Sequence, residues 1–475
     1  MTSTTTADLA PLLEKISQRI GAQHVLTAPG DTAAYLREER GLYDGRTPAV
    51  LRPGNTEEVA FIVAACAEAG VKIVPQGGNT GLVGGQMAFG ELVVSLARLD
   101  RIRHVDPVDM TMTVEAGCIL DSVHKAAEEV GCLFPLHIAA QGSCRIGGNL
   151  STNAGGTAVL RYGNAKELVL GLEVVLADGR VWNGLKRLRK NNAGYDLKQL
   201  FLGTEGTLGI ITAAVLKLFP APAQRATAFL AVPDPEHALS LLHRLRGLAG
   251  DGLTTFELMA DFGIETVLKH MPGTVRPFAD RYDWYVLAEF SSPTRAFDIA
   301  ALMESGLEAA MEAGEVVDAV IASSEAQANN LWRLREDMSE AQKHEGGSIK
   351  HDVSVPVSRV PEFLARALPA VTAELEGLRP CPFGHVGDGN IHFNLSQPVG
   401  MDKAAFIDMW DHFNRIVHDI VTDMDGSIAA EHGIGRLKAH ELRHYADPLA
   451  LELMARIKRT LDPQGLLNPG KVLEV

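Results

Sequence analysis

The densest grouping of chemically capable side chains lies in Gly384-His385-Val386-Gly387-Asp388-Gly389-Asn390-Ile391-His392-Phe393-Asn394. His392 and Asn394 are two residues apart, so in a strand they share a face, and the glycine turn lets His385 fold back beside them. Further along, Glu431-His432-Gly433-Ile434-Gly435 adds a carboxylate and a third imidazole in a predicted loop. Two imidazoles and one carboxylate from such a group leave an open position on a tetrahedral Zn2+, the catalytic rather than the closed structural arrangement. Taken singly, each histidine is more often a surface or hydrogen-bonded residue than a ligand, and the chain has 16 of them.

Glycine-rich stretches form a second group. They run over 75–85 (Pro75-Gln76-Gly77-Gly78-Asn79-Thr80-Gly81-Leu82-Val83-Gly84-Gly85), 142–156 and 203–209. Backbone amides free of side-chain bulk can converge on an anion, and several such loops in one domain suit a ligand with a pyrophosphate. None reads G-x-G-x-x-G at a strand-to-helix turn, so a Rossmann NAD site is not expected. Gly465-Leu466-Leu467-Asn468-Pro469-Gly470-Lys471 satisfies G-x-x-x-x-G-K, but Val472 stands where a P-loop needs Ser or Thr, and no helix can follow before Val475.

The elements that must hold these groups follow from patterning. Asn55 caps a helical run over 59–69 that stops at Gly70, and a short strand over 71–74 delivers the chain into the first glycine loop. Strands are predicted over 92–96, 112–115 and 210–218, a helix over 120–130, and a hairpin over 168–182 turning at Asp178-Gly179. Pro220-Ala221-Pro222 is the best candidate boundary. Beyond it, predicted helices (235–248, 295–313, 401–424, 448–461) mix with strands (226–232, 284–290), an α+β texture.

Composition excludes several classes. A chain of 475 residues, 46% hydrophobic and 22% charged, can bury a large core in two domains or more. Its 44 basic against 59 acidic residues give a charge of -15, which disfavours nucleic acid and anionic membranes as partners. Five widely spaced cysteines with no CxxC pair suit reduced thiols in a cytoplasmic protein. The stretch 1–10 lacks the basic and apolar regions of a secretory signal, and the apolar run over 208–216 is too short to span a bilayer.

Taken together, the 75–81 loop, Gly142-Ser143-Cys144-Arg145-Ile146-Gly147-Gly148-Asn149 with Thr152-Asn153-Ala154-Gly155-Gly156, the 203–212 segment and Leu467-Asn468-Pro469-Gly470-Lys471 resemble flavoproteins of the vanillyl-alcohol oxidase/p-cresol methylhydroxylase type. The GHVGDGNIHFN and EHGIG segments resemble their D-2-hydroxyacid dehydrogenase branch. The resemblance covers roughly residues 40 to 475, with motifs agreeing in order and spacing.

That resemblance implies an α+β fold: a two-subdomain FAD-binding domain over 46–223, preceded by a packed N-terminal segment over 1–45. A cap domain with an antiparallel sheet follows over 224–425, and 426–475 returns to the FAD domain. It implies FAD contacts from Pro75, Gly77, Gly78, Asn79, Thr80, Gly81, Gly142, Ser143, Gly147, Gly148, Asn149, Thr152, Gly155, Glu205, Gly206, Ile211 and Asn468. Many relatives tether the flavin through a histidine where this chain has Asn79, so non-covalent FAD is expected. By the same resemblance His385, His392 and Glu431 would hold a divalent ion, Zn2+ first, and His432 would take the hydroxyl proton. Arg335, Ser339, Lys350 and Asn394 would bind substrate. No role passes to His137, which stands where lactate- and glycolate-type relatives often carry Asp.

The activity implied is oxidation of a D-2-hydroxy acid by hydride transfer to flavin N5, D-2-hydroxyglutarate first, with D-lactate and D-malate behind it. Arg335 and Lys350 offer two cations, so lactate would leave one unpaired while a dicarboxylate would not. Electron transfer flavoprotein or a quinone-linked carrier is the expected electron acceptor, and a homodimer is compatible with the family. Competing classes are a flavin-free zinc hydrolase using the same three ligands and a protein that binds FAD or metal without turnover.

Overall fold

The computed structural model describes residues 9–473, so most of the stretch read for a secretory signal lies outside the described residues. Two compact units emerge: residues up to Ala154, Asn164–Ala221 and Glu431 onward form the first, and Gly155–Gly163 with Pro222–Ala430 the second. One break therefore falls between Ala221 and Pro222, within the Pro-Ala-Pro stretch. Residues 155–163, expected in the first domain, belong to the second unit. Thr255 Oγ1 donates to the Thr157 carbonyl (3.1 Å) and Arg161 Nη1 to Ser291 Oγ (3.0 Å), which ties this short segment to strands of that unit.

In the first unit, the Thr56–Ala69 helix begins where Asn55 Oδ1 accepts the Glu58 amide (2.9 Å) and ends at Gly70 in the left-handed region (φ 63°). It leads into the strand Ile73–Gln76, which pairs in parallel with Leu92–Ser95 in a four-stranded sheet. A five-stranded antiparallel sheet has the order Ile102–Asp106, Thr111–Glu115, Ile210–Lys217, Val169–Val175, Val181–Asn183. The last two strands are the predicted Asp178-Gly179 hairpin, with Gly179 at φ 84°. The carboxyl-terminal loop returns to this unit, with Asn468 N–H donating to Ile73 O (2.9 Å) beside the first glycine stretch.

The second unit is built on one seven-stranded antiparallel sheet, in the order Asp318–Ile321, Gln224–Val232, Trp284–Ser292, Leu253–Ala260, Arg379–His385, Asn390–Ser396, Ser348–Ser354. Alternation along the strands sends Leu230, Phe256, Leu258 and Phe393 to one core, completed by residues such as Phe363 and Phe413 of the Val360–Glu374 and Trp410–Asp423 helices. Phe229, Met259, Tyr285 and Phe383 go to the other, with Ile264, Leu334 and Met338 of the covering helices. Both faces are apolar at the middle of the sheet, as a doubly covered sheet requires. Polar residues on the second face therefore stand out.

All five cysteines are buried free thiols, and burial pushes Cys66 and Cys381 up to about 12. No helix among the described residues is long and apolar enough to cross a membrane.

Candidate active site

The glycine stretches of the first unit do approach one another. A Cβ on Gly78 would lie 2.3 Å from the Ser143 carbonyl oxygen, and one on Gly147 would lie 2.7 Å from Ala116 Cβ, so only glycine permits these passages. Pro75 lies beneath Gly206, whose added Cβ would meet its ring at 2.5 Å. Among the described residues, the backbone amides of Gly77, Gly78, Asn79, Thr80 and Gly81 have no acceptor within the protein. Consecutive unclaimed donors on a side-chain-poor loop can hold an anionic group such as a diphosphate.

The remaining expected cofactor residues of this unit have defined positions. Asn79, at φ 57°, spends its amide on the carbonyls of Ala34 (3.2 Å) and Arg37 (2.7 Å), so its side chain ties the loop to the N-terminal segment. Gly142 and Ser143 lie in the turn before the short Ile146–Ser151 helix, which contains Gly147, Gly148 and Asn149. Thr152 Oγ1 donates back to Gly148 O (3.2 Å). Ile211 is buried in its strand opposite Val174. Gly155 is the first residue of the 155–163 segment and so belongs to the second unit.

Glu205 and Asn468 act on other parts of the backbone. The Glu205 carboxylate is buried and its Oε1 accepts the amides of Ile434 (2.7 Å) and Gly435 (3.0 Å), in the loop that carries Glu431 and His432. Burial pushes this carboxyl above its usual range, against the pull of the two amides. Asn468 Nδ2 donates to Gly85 O (2.9 Å) and Glu205 O (2.7 Å), so the carboxyl-terminal loop braces two glycine stretches at once.

The second unit brings its expected site residues onto one sheet face by register. Lys350 stands opposite Asn394, Asp352 opposite His392, Phe383 opposite His392 and Glu257 opposite His385 on four neighbouring strands. The His385 and His392 ring centroids are 5.5 Å apart at 81°. Asn394 Nδ2 donates to Gln342 Oε1 (2.9 Å), and His392 Nδ1 lies 3.7 Å from Asp352 Oδ1. Arg335, at the end of the Glu325–Glu336 helix, stacks over Phe383 (4.7 Å) and donates through Nε to Glu257 Oε2 (2.7 Å). Ser339 lies on the following short helix and is exposed.

Glu257 is the residue that sequence reasoning missed. Wholly buried, it also accepts from His385 Nδ1 on Oε1 (2.5 Å). Burial opposes its ionisation, yet the hydrogen-bonded His385 imidazole and the Arg335 guanidinium beside it hold the carboxyl below its usual range. The available signal was a lone carboxylate in the apolar run Leu253–Ala260. Glu257 also changes the cation count, because the charge of Arg335 is already answered within the protein.

Nearby, burial pushes Asp388 up to about 6 in the turn between the two histidine strands. With Nδ1 of each imidazole turned toward a carboxylate, Nε2 is the atom that His385 and His392 could offer an ion, a pattern common behind metal ligands. Ala430, the last residue of this unit, donates to the Asp352 carbonyl (3.3 Å), and Glu431 and His432 follow it in the chain.

Comparison with known proteins matches residues 47–184 to the "FAD binding domain" family and residues 221–472 to "FAD linked oxidases, C-terminal domain". A D-2-hydroxyglutarate dehydrogenase of Xanthomonas citri pv. viticola is 40% identical over 98% of this chain and 97% of that protein. The mitochondrial D-2-hydroxyglutarate dehydrogenase of Bos taurus is 38% identical over 98% and 83%. Among solved structures, p-cresol methylhydroxylase with substrate bound superposes with a TM-score of 0.79 at 17% identity, over 99% of this chain and 97% of that one. That likeness shows the fold. The glycine loops and unclaimed amides of the first unit fit the cofactor these families share, and the chain belongs to the FAD-linked oxidases as an FAD-dependent oxidoreductase related to the D-2-hydroxyglutarate dehydrogenases.

Proposed function

We propose that the protein oxidises D-2-hydroxyglutarate to 2-oxoglutarate with non-covalent FAD and a divalent metal, Zn2+ first. The observation that carries this reading is the shared sheet face of Lys350, His385, His392 and Asn394 with Arg335 above it, in a chain whose relatives bear that activity in their names. FAD, when bound, supplies the acceptor for the hydride that leaves C2. His385, His392 and Glu431 would hold a divalent ion, which would supply Lewis acidity toward the substrate hydroxyl.

The chain's own residues do the rest. His432 takes the hydroxyl proton on its imidazole as general base. The terminal nitrogens of Arg335, whose Nε is committed to Glu257, grip a substrate carboxylate with Lys350, and Asn394 and Ser339 orient the substrate. Glu205 holds the backbone that carries His432. The proposed electron acceptor is a carrier such as electron transfer flavoprotein or a quinone-linked protein. The FAD-binding match weighs against the flavin-free hydrolase.

Because Glu257 answers the charge of Arg335, lactate would not strand a buried cation there. The preference for a dicarboxylate rests instead on charge-assisted hydrogen bonds, each worth about 1.5–3 kcal/mol, or one to two decades in specificity. The test is kcat/KM for D-2-hydroxyglutarate against D-lactate. A ratio of at least about tenfold, reduced by Arg335→Ala, is expected. A higher value for D-lactate, or a ratio unchanged by alanine at both Arg335 and Lys350, overturns the substrate assignment.

A further inference from the structure

One buried carboxylate serves two residues with different proposed duties. Glu257 Oε1 receives His385 Nδ1 and Oε2 receives Arg335 Nε, each oxygen taken by one partner. A carboxylate can only accept, so Nδ1 of His385 carries the proton and Nε2 carries the lone pair. The same carboxylate fixes the guanidinium by its inner edge, with Phe383 stacked on its plane, so that its outer nitrogens keep one orientation. Neither duty could be met by a neighbouring residue on this strand. Phe256 and Leu258 point to the opposite core, and Glu257 is the register partner of His385.

We propose that Glu257 is a positioning residue that sets the tautomer of His385 for metal binding and the orientation of Arg335 for carboxylate binding, so that the two binding functions depend on one side chain. This rests on the proposed function, in which His385 is a ligand and Arg335 grips substrate. A purely structural ion pair would tie the Glu325–Glu336 helix to the sheet and nothing more.

Glu257→Gln separates the two possibilities. Glutamine has one acceptor where two are needed. If its carbonyl faces Arg335, its amide N–H faces His385 Nδ1, and the imidazole must move its proton to Nε2, the wrong tautomer for a ligand. If its carbonyl faces His385, the Arg335 Nε–H meets another donor and the guanidinium loses its anchor.

Zn2+ affinity is measured by competition with a chromophoric chelator on purified flavin-containing protein, and KM for D-2-hydroxyglutarate is measured at saturating Zn2+. Loss of the partner behind a metal-bound histidine lowers metal affinity by about 10- to 100-fold. Glu257→Gln is expected to show that loss, or a rise in KM of about tenfold or more from a released Arg335. Unchanged Zn2+ affinity together with unchanged KM, in a variant that is merely less stable, overturns the proposal.

If Glu257→Gln does not fold, Glu257→Met/Arg335→Met, in which residue 257 offers His385 Nδ1 no acceptor, is compared with Arg335→Met. The double variant must bind Zn2+ at least about tenfold more weakly than the single one, and equal affinities overturn the proposal. Wild-type protein that neither binds Zn2+ nor oxidises the acid would instead refute the proposed function.

Discussion

Glu205 tests whether the His432 loop is held by charge or by hydrogen-bond geometry. Both loop amides, Ile434 (2.7 Å) and Gly435 (3.0 Å), donate to the same oxygen, Oε1, and burial raises the carboxyl's pKa, so ionisation is a cost at this position. A glutamine keeps Oε1 and removes the charge. Glu205→Gln is therefore expected to match wild type within about 1 kcal/mol, whereas Glu205→Ala orphans two amides at about 1–3 kcal/mol each and leaves a cavity. For the alanine variant we expect a loss of about 2–5 kcal/mol, a fall in Tm of roughly 4–10 °C.

The backbone around Glu205 sharpens the contrast. An added Cβ at Gly433 or Gly85 would lie 2.7 Å from this carboxylate, so the alanine cavity opens directly under the loop. Thermal unfolding followed by both flavin release and circular dichroism reads the effect, with turnover reporting the position of His432. If Glu205→Gln is as damaging as Glu205→Ala, the charge carries the interaction and the geometric account is wrong.

Other outcomes follow from the same structure. Acid or heat should release essentially all flavin, as FAD, because the Asn79 side chain offers no nucleophilic imidazole and its amide is tied to Ala34 and Arg37; flavin left on the denatured chain refutes this. A strong chelator should abolish turnover while the visible flavin spectrum persists, with activity restored by Zn2+, Mn2+ or Co2+; full activity in metal-free protein removes the metal from the account. His432→Ala should lower the rate of flavin reduction by about 10² to 10⁴ with metal content unchanged; an unaltered rate at saturating substrate excludes His432 as base.

Lys471 is 1% exposed and its Nζ lacks a hydrogen-bond partner among the described residues, and burial lowers its pKa from 10.5 to about 8. The folded state thus binds fewer protons between these values, and stability rises with pH across the window. Lys471→Met should stabilise the protein at pH 7 by up to about 3 kcal/mol, with the gain fading as pH rises from 8 toward 10.5. A destabilised variant at pH 7 would show that the ammonium has a partner.

Much of this was legible in the sequence, for identifiable reasons. The Asn55 cap, the Gly70 stop and the Asp178-Gly179 turn are local signals, and each marks an element end in the structure. His392 and Asn394 share a face because strand alternation needs no knowledge of the partner strand. What could not be read is set by register between distant strands. The Glu257–His385 pairing joins residues 128 apart, and only the order of the central strands brings them together.

The same limit explains the charge count. Arg335 looked like a cation awaiting substrate because its partner is 78 residues upstream in an apolar run. The resemblance implies that Glu205 and Asn468 contact cofactor, and in the fold their side chains also hydrogen-bond backbone of the same unit, which no local pattern signals. Residues 155–163 read as a continuation of a glycine loop, and two side-chain hydrogen bonds to strands show where they pack.

The central claim, that this flavoprotein oxidises a D-2-hydroxy acid, is tested most directly by anaerobic titration of the purified protein with D- and L-2-hydroxyglutarate while the flavin absorbance is followed. The account predicts stoichiometric bleaching by the D enantiomer with formation of 2-oxoglutarate, and none by the L enantiomer. A flavin that stays oxidised with D-2-hydroxyglutarate, D-lactate and D-malate alike, in protein replete with Zn2+, would contradict it.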